Sequence, residues 1–188
     1  MTGPCYLITH PEVVVDPGTE VTDWTLSDEG RARAARLAAL PWVARLDRLV
    51  SSAEPKACET AEVLAAAHGL PWEVDAALGE NDRRATGFLP PEEFERAADA
   101  FFARPDQSVR GWETARDAQR RIVAAVRRHV SAGPAAVGFV AHGAVGTLLW
   151  CDLERQPVDR RHDQPGQGSW FPFDPVSWTA GHGWVRAP

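Results

Sequence analysis

The chain has 188 residues, a formal charge of -6 and a sequence pI near 5.5. That balance excludes the net basic face of most nucleic-acid binders. Apolar residues make up 44% and charged residues 24%, a globular rather than disordered composition, and the length suits one domain spanning residues 1–188. Cys5, Cys58 and Cys151 stand far apart with no C-x-x-C spacing, so neither a disulfide framework nor a metal site is expected, and the three read as buried free thiols. Met1 to Thr9 lacks the charged and apolar regions of a signal peptide, and no apolar run approaches the ~20 residues of a membrane span. The expectation is a cytoplasmic protein with neither nucleic-acid nor membrane partners.

In chain order, Cys5-Tyr6-Leu7-Ile8-Thr9 is a short apolar run rich in strand formers that stops at His10-Pro11. Proline disfavours helix at the preceding residue, so a buried strand delivers His10 to its tip. Ser27 can cap a helix with Asp28 and Glu29 in the first turn. Gly30, Ala34, Leu37 and Ala38 share its face, and Pro41 ends it. Leu46 to Val50 reads as a strand ending in Ser51-Ser52. Pro55 suits a first helical turn and Gly69 a C-cap, with Trp72 to Asp75 as a further short strand. Residues 80–91 hold Asn, Asp, Gly and two prolines and read as a loop.

Helices are expected over Pro91–Ala103 and Glu113–Ser131, the second with Ala118, Ile122, Ala125 and Val126 on its apolar side. Val137 to Ala141 is another buried strand ending in a histidine, His142, with a helix over Gly143–Leu153. Val158 to Gly168 is loop-like, and Trp170–Phe173 and Val176–Val185 supply late strands. Alternating strands and helices imply an α/β fold, a three-layer α/β/α sandwich with a mostly parallel central sheet. Most of the eight tryptophans are expected in the core or in pocket walls, with hydrogen-bonded N–H groups, and His68, His129 and His182 as structural residues.

Two strands thus end in histidine, and ligands of open parallel sheets sit outside the carboxyl ends of the strands. Between them in sequence come Ser51-Ser52, Lys56 at a helix start and Glu80 after Leu78-Gly79. A helix N-terminus presents free N–H groups that suit a phosphate. Two imidazoles, a cation and a carboxylate at such tips suit phosphoryl transfer.

These segments carry a family resemblance. Thr9-His10-Pro11 stands where the histidine phosphatases, the phosphoglycerate-mutase-like superfamily, place Arg-His-Gly. Leu26-Ser27-Asp28-Glu29-Gly30 resembles that family's leucine-(Thr/Ser)-x-x-Gly helix start. Ser51 to Ala61 is similar to its Ser-Pro-x-x-Arg-Ala-x-Gln-Thr-Ala segment, Leu78-Gly79-Glu80 matches the place of its acid, and Phe139 to Gly143 resembles the strand with its second histidine. The resemblance implies a phosphoglycerate-mutase-like fold. It also implies a phosphomonoesterase acting on a small phosphorylated substrate without metal or other cofactor. His10 would be the nucleophile that forms a phosphohistidine, His142 would stabilise the transferring phosphoryl group, and Glu80 would protonate the leaving alcohol. Thr9, Ser52, Lys56 and Arg83 are the candidate substrate-binding residues.

The motif also departs from the pattern. Arginine is replaced by Thr9 and by Lys56, and glycine by Pro11. Arginine grips phosphate bidentately, whereas lysine is a point charge. Losing a bidentate pair worth roughly 1.5–3 kcal/mol per charged bond weakens binding by about a hundredfold. Arg83 or Arg84, just after Glu80, would replace the missing guanidinium; Arg160, Arg161 and His162 offer further cations. The alternative reading is a catalytically silent relative that binds a phosphorylated ligand or a protein partner. A mutase is disfavoured by the thinned cationic grip. Substrate identity and oligomeric state are not encoded in these residues.

Overall fold

The computed structural model describes residues 3–133 and 135–188. Strands β1 (Cys5–Thr9), β2 (Arg48–Ser51), β3 (Trp72–Val74) and β4 (Val137–Ala141) are parallel, and β5 (Ser169–Asp174) runs antiparallel beside β1. Two short pieces, β6 (Thr179–Ala180) and β7 (Val185–Arg186), pair with β5, and the order is β3-β2-β4-β1-β5-β6. The helices are α1 (Asp28–Ala38), α2 (Pro55–His68), α3 (Pro91–Ala103), α4 (Ala115–Val130) and α5 (Gly143–Leu153).

β1 and β4 are buried at every position, which is why they read as unbroken apolar runs: both faces of the sheet are covered. Alternate residues feed two cores. Tyr6, Ile8, Leu49 and Val140 pack with Leu37, Ala57, Ala61 and Leu64 of α1 and α2. Leu7, Val50, Phe139 and Ala141 pack with Phe101, Ile122, Val126 and Leu148 from α3, α4 and α5. The fold is therefore the expected three-layer α/β sandwich with a mostly parallel sheet.

Local signals explain the ends of the elements. The Ser27 hydroxyl accepts from Gly30 N–H, closing the start of α1. Gly69 adopts φ 66° at the end of α2, the left-handed geometry that glycine takes without cost. Gly30 has a separate reason: a Cβ there would lie 2.0 Å from the Glu12 carbonyl oxygen, so α1 sits directly on the backbone of the segment after His10.

Four expectations need correction. The strand expected from Leu46 begins at Arg48, because Val43–Arg45 form a 3-10 turn that Leu46 N–H closes onto Val43. The late strand expected over Val176–Val185 is two short pieces, since Asp174 turns the chain by accepting from Val176 and Ser177 N–H. Cys58 is not fully buried; it is partly exposed on α2, with Sγ 3.3 Å from the Ser52 carbonyl. Finally, the indole N–H groups of Trp42, Trp150 and Trp170 are buried without a partner, while those of Trp24, Trp112, Trp178 and Trp184 donate to protein oxygens. Trp42 stacks on Tyr6 at 4.1 Å between centroids, so ring packing rather than hydrogen bonding holds it.

Candidate active site

Register builds the site. Thr9 pairs with Ala141, Ser51 pairs with Val140, and β4 lies between β1 and β2. Three adjacent parallel strands therefore end level, delivering His10, Ser52 and His142 to one rim. The chain leaves β1 toward the α1 layer and β4 toward the α5 layer, and the crevice opens where these connections diverge. The His10 and His142 rings meet edge to face with centroids 5.2 Å apart.

His10 Nδ1 lies 2.8 Å from the Pro11 carbonyl oxygen. A carbonyl only accepts, so Nδ1 carries the proton and Nε2 keeps its lone pair. Burial pushes the His10 pKa down to about 3, with His142 and Lys56 adding to the effect, so the ring is neutral at ordinary pH. Thus Pro11, which has no N–H to offer a ligand, still fixes the tautomer through its carbonyl. His142 is fully buried. Burial, then the charges of Lys56, Arg83 and Arg121, hold its pKa well below the usual range. Its Nε2 lies 2.8 Å from Ser52 Oγ and 3.3 Å from Glu54 Oε1.

Glu80 reaches the same rim from the loop after β3. One carboxylate oxygen accepts from Val145 and Asn81 N–H, the other from Ala144 N–H. His142 is the N-cap residue of α5 yet makes no side-chain cap, so Glu80 supplies that cap across the fold. Burial raises its pKa above the ordinary carboxylate value. Arg83 opposes the rise, the like charge of Glu54 adds to it, and the Asn81 and Ala144 N–H groups work against it. Such a carboxyl is poised to exchange a proton.

The other expected residues separate. Lys56 is 4% exposed; its ammonium donates to Val21 O at 2.9 Å and forms an ion pair with Glu54. Ser52 accepts from Glu54 N–H and faces His142. The Arg83 guanidinium lies 4.8 Å over the Phe94 ring, and among the described residues it makes no hydrogen bond or ion pair. Arg84 also lines the cavity but is exposed and paired with Asp82, and Arg160 is held by Glu95 and Asp99. Arg161 is exposed and contacts Asp159 and His162. Arg83 is thus the unengaged guanidinium beside the histidines. Thr9 does not enter the cavity: its hydroxyl donates to Gln164 Oε1 at 2.7 Å and accepts from Ser169 N–H. This fully buried side chain is spent on tying the end of β1 to Gln164 and to the start of β5.

His10, Glu54, Lys56, Glu80, Asn81, Arg83 and His142 line a cavity of about 180 Å³, smaller than the ~300–1,000 Å³ of drug-sized pockets. A second cavity of about 200 Å³ shares His10, Lys56, Glu80, Asn81 and Arg83 with it, and extends between Trp24, Phe94 and Trp112. Together they suit a small polar head joined to a body with apolar surface.

Three residues were missed in the sequence. Glu54 looks like an ordinary charged residue before a helix. Asn81 reads as loop filler, yet it is 5% exposed with Nδ2 unpartnered. Arg121 lies on the polar side of a long helix, but its guanidinium holds the Ala77, Gly79 and Glu80 carbonyls and pairs with Glu113. Only the adjacency of Asn81 to Glu80 was a usable signal.

Comparison with known proteins agrees with this architecture. The sequence profile of the histidine phosphatase superfamily (branch 1) matches residues 5–179. Among curated proteins, none matches the sequence. Among solved structures, the native mycobacterial glucosyl-3-phosphoglycerate phosphatase is similar with a TM-score of 0.82 at 21% identity, over 98% of this chain and 99% of that one. Its complex with inorganic phosphate gives 0.77 at 23%, over 98% and 97%. The alpha-ribazole phosphatase from Shigella flexneri gives 0.71 at 18%, over 95% and 93%.

Proposed function

The chain belongs to the histidine phosphatase superfamily, and from that premise we propose that it hydrolyses a small phosphomonoester through a phosphohistidine on His10. The observation that carries this reading is the His10 tautomer: Nδ1–H is committed to Pro11 O, and Nε2 belongs to a neutral ring lining the same cavity as His142 and Glu80. Similar solved structures are phosphatases of small phosphorylated compounds, and one holds inorganic phosphate.

In the first step Nε2 attacks phosphorus, the bond from phosphorus to the ester oxygen breaks, and Glu80 gives its proton to the leaving alcohol. In the second step water attacks phosphorus, the N–P bond breaks, the Glu80 carboxylate takes the water's proton, and inorganic phosphate departs. His142, Lys56 and Arg83 surround the site of transfer, and donors fixed before reaction are the largest source of such stabilisation. Asn81, with its unpartnered amide, serves the leaving-group side. Thr9 acts indirectly, by holding Gln164 at the mouth of the second cavity.

One observation favours the silent alternative: Lys56, the replacement for a family arginine, already has an anion on it in Glu54. One assay separates the two. With a chromogenic aryl phosphate and excess EDTA, the wild type should release phenolate and His10→Ala should lose the activity by roughly a thousandfold or more. Activity should fall as pH rises through the elevated Glu80 pKa, because the first step needs its proton. No release from the wild type across pH 5–8 would leave the silent binder.

A further inference from the structure

Glu54 precedes α2 as its N-cap residue but makes no side-chain cap there. Its carboxylate instead turns into the cavity, where the side chain is 12% exposed. It meets three groups from three separate elements. Lys56 of α2 forms an ion pair with Oε2, the backbone N–H of Glu80 donates to Oε1 at 2.9 Å, and His142 Nε2 at the tip of β4 lies 3.3 Å from Oε1. An ammonium, a backbone N–H and an imidazole converging from three directions make an anion site, and a side-chain carboxylate fills it.

We infer that Glu54 occupies the phosphoryl subsite of the resting protein and is a specificity-determining residue that screens out bare dianions. The inference rests on the hydrolase reading and deepens it. With Glu54 in place, the cavity's cations Lys56, Arg83 and Arg84 face the carboxyl groups of Glu20, Glu54 and Asp82 even when Glu80 holds its proton, so no surplus positive charge is left for free phosphate. An ester has more to offer. Its leaving group enters the second cavity, between Trp24 and Phe94, and meets the unpartnered Asn81 amide and the unengaged Arg83 guanidinium. Binding energy from that remote part displaces the Glu54 side chain, and Lys56 and the Glu80 N–H then turn to the phosphoryl oxygens. The preferred substrate class is therefore a phosphomonoester with an apolar ring or chain on its leaving group. Inorganic phosphate, as product, leaves readily because the carboxylate returns.

The test is calorimetric titration of the full chain with inorganic phosphate and with sulfate at neutral pH, for the wild type, Glu54→Gln and Glu54→Ala. Glutamine keeps an acceptor for Lys56 and the Glu80 N–H while removing the charge; alanine removes the occupant. Both variants should bind either anion about tenfold more tightly or better, and KM for a small aryl phosphate should drop in Glu54→Gln. Unchanged or weaker anion binding in both would overturn the inference. So would loss of folding in both by circular dichroism, which would make Glu54 a structural partner of Lys56. Tighter anion binding without aryl phosphate turnover in any of the three proteins would keep Glu54 as the occupant of the anion site and overturn both the hydrolase reading and the specificity role that rests on it.

Discussion

The charged side chains after Glu80 differ in how they are engaged. Arg83 and Arg84 are neighbours with different fates. Arg84 is exposed and tied to Asp82, whose pKa it helps lower to about 2. Arg83 is partly buried, stacked on Phe94 and free of side-chain hydrogen bonds among the described residues. A guanidinium has five donors, and those that Arg83 turns to the cavity are open to an incoming anion. Arg83→Ala should therefore raise KM for an aryl phosphate by about tenfold or more, on the scale of one charge-assisted bond. Arg84→Ala should leave KM within a factor of two, which steady-state kinetics on both variants will check. Equal effects from the two would show that only the net charge of the loop matters. The placement of His10, Ser52 and His142 at strand ends, of Lys56 at a helix start and of Glu80 in the loop after β3 was legible because the flanking elements are recognisable. Thr9 could be read either as strand filler or as a ligand contact, because sequence does not show which way a side chain at the end of a strand faces. Glu54 was missed because nothing local distinguishes a carboxylate that caps its own helix from one that turns inward.

Among the elements, the segment from Ala76 to Asn81 is a 3-10 turn over Ala76–Leu78 followed by the residues that carry Glu80. It holds the acid against the start of α5, yet its own backbone is fixed from outside by Arg121 of α4, which donates to three consecutive-turn carbonyls at 2.8–3.1 Å. One planar guanidinium spans these acceptors; an ammonium does not match that geometry. Arg121→Ala should lower stability by about 3 kcal/mol, the scale for stripping a hydrogen-bonded charge from partly buried acceptors. It should also cut kcat more than it raises KM, since the acid loses its position while the anion contacts remain. Arg121→Lys should recover little of either. Thermal melts and the kcat-to-KM split measure both, and full recovery by lysine would show that charge alone is needed. The helices themselves were readable: the Ser27 cap, the Pro55 start and the Gly69 end carry their signals locally. The late strands were less so, because two-residue pairings at an edge depend on the partner strand and not on their own composition.

Over the whole molecule, β4 and β1 lie at the centre of the sheet with a core on either face, while β6 and β7 are short pairings on one side of β5. Stability should grade accordingly. In hydrogen exchange followed by mass spectrometry, amides of Leu7, Ile8, Phe139 and Val140 should exchange only through global unfolding. Those of Thr179, Ala180 and Val185 should exchange through cheaper local opening. Uniform protection across these strands would contradict that gradient. The same arrangement puts His10 and His142 at the ends of the two fully buried strands, where local opening is expected least.

The amino-acid order alone determined the alternation of strands and helices, the burial of the central strands and the two strand-tip histidines. Those properties depend on periodicity, capping and turn chemistry within a few residues. Tertiary structure alone decided which cavity guanidinium lacks a partner among the described residues, that Glu54 turns into the cavity, that the Thr9 hydroxyl bonds Gln164 and Ser169, and that Arg121 holds the segment carrying Glu80. Each of these is a pairing of groups distant in the chain, set by strand register and helix packing, and charge satisfaction between such groups leaves no mark on the sequence around either one.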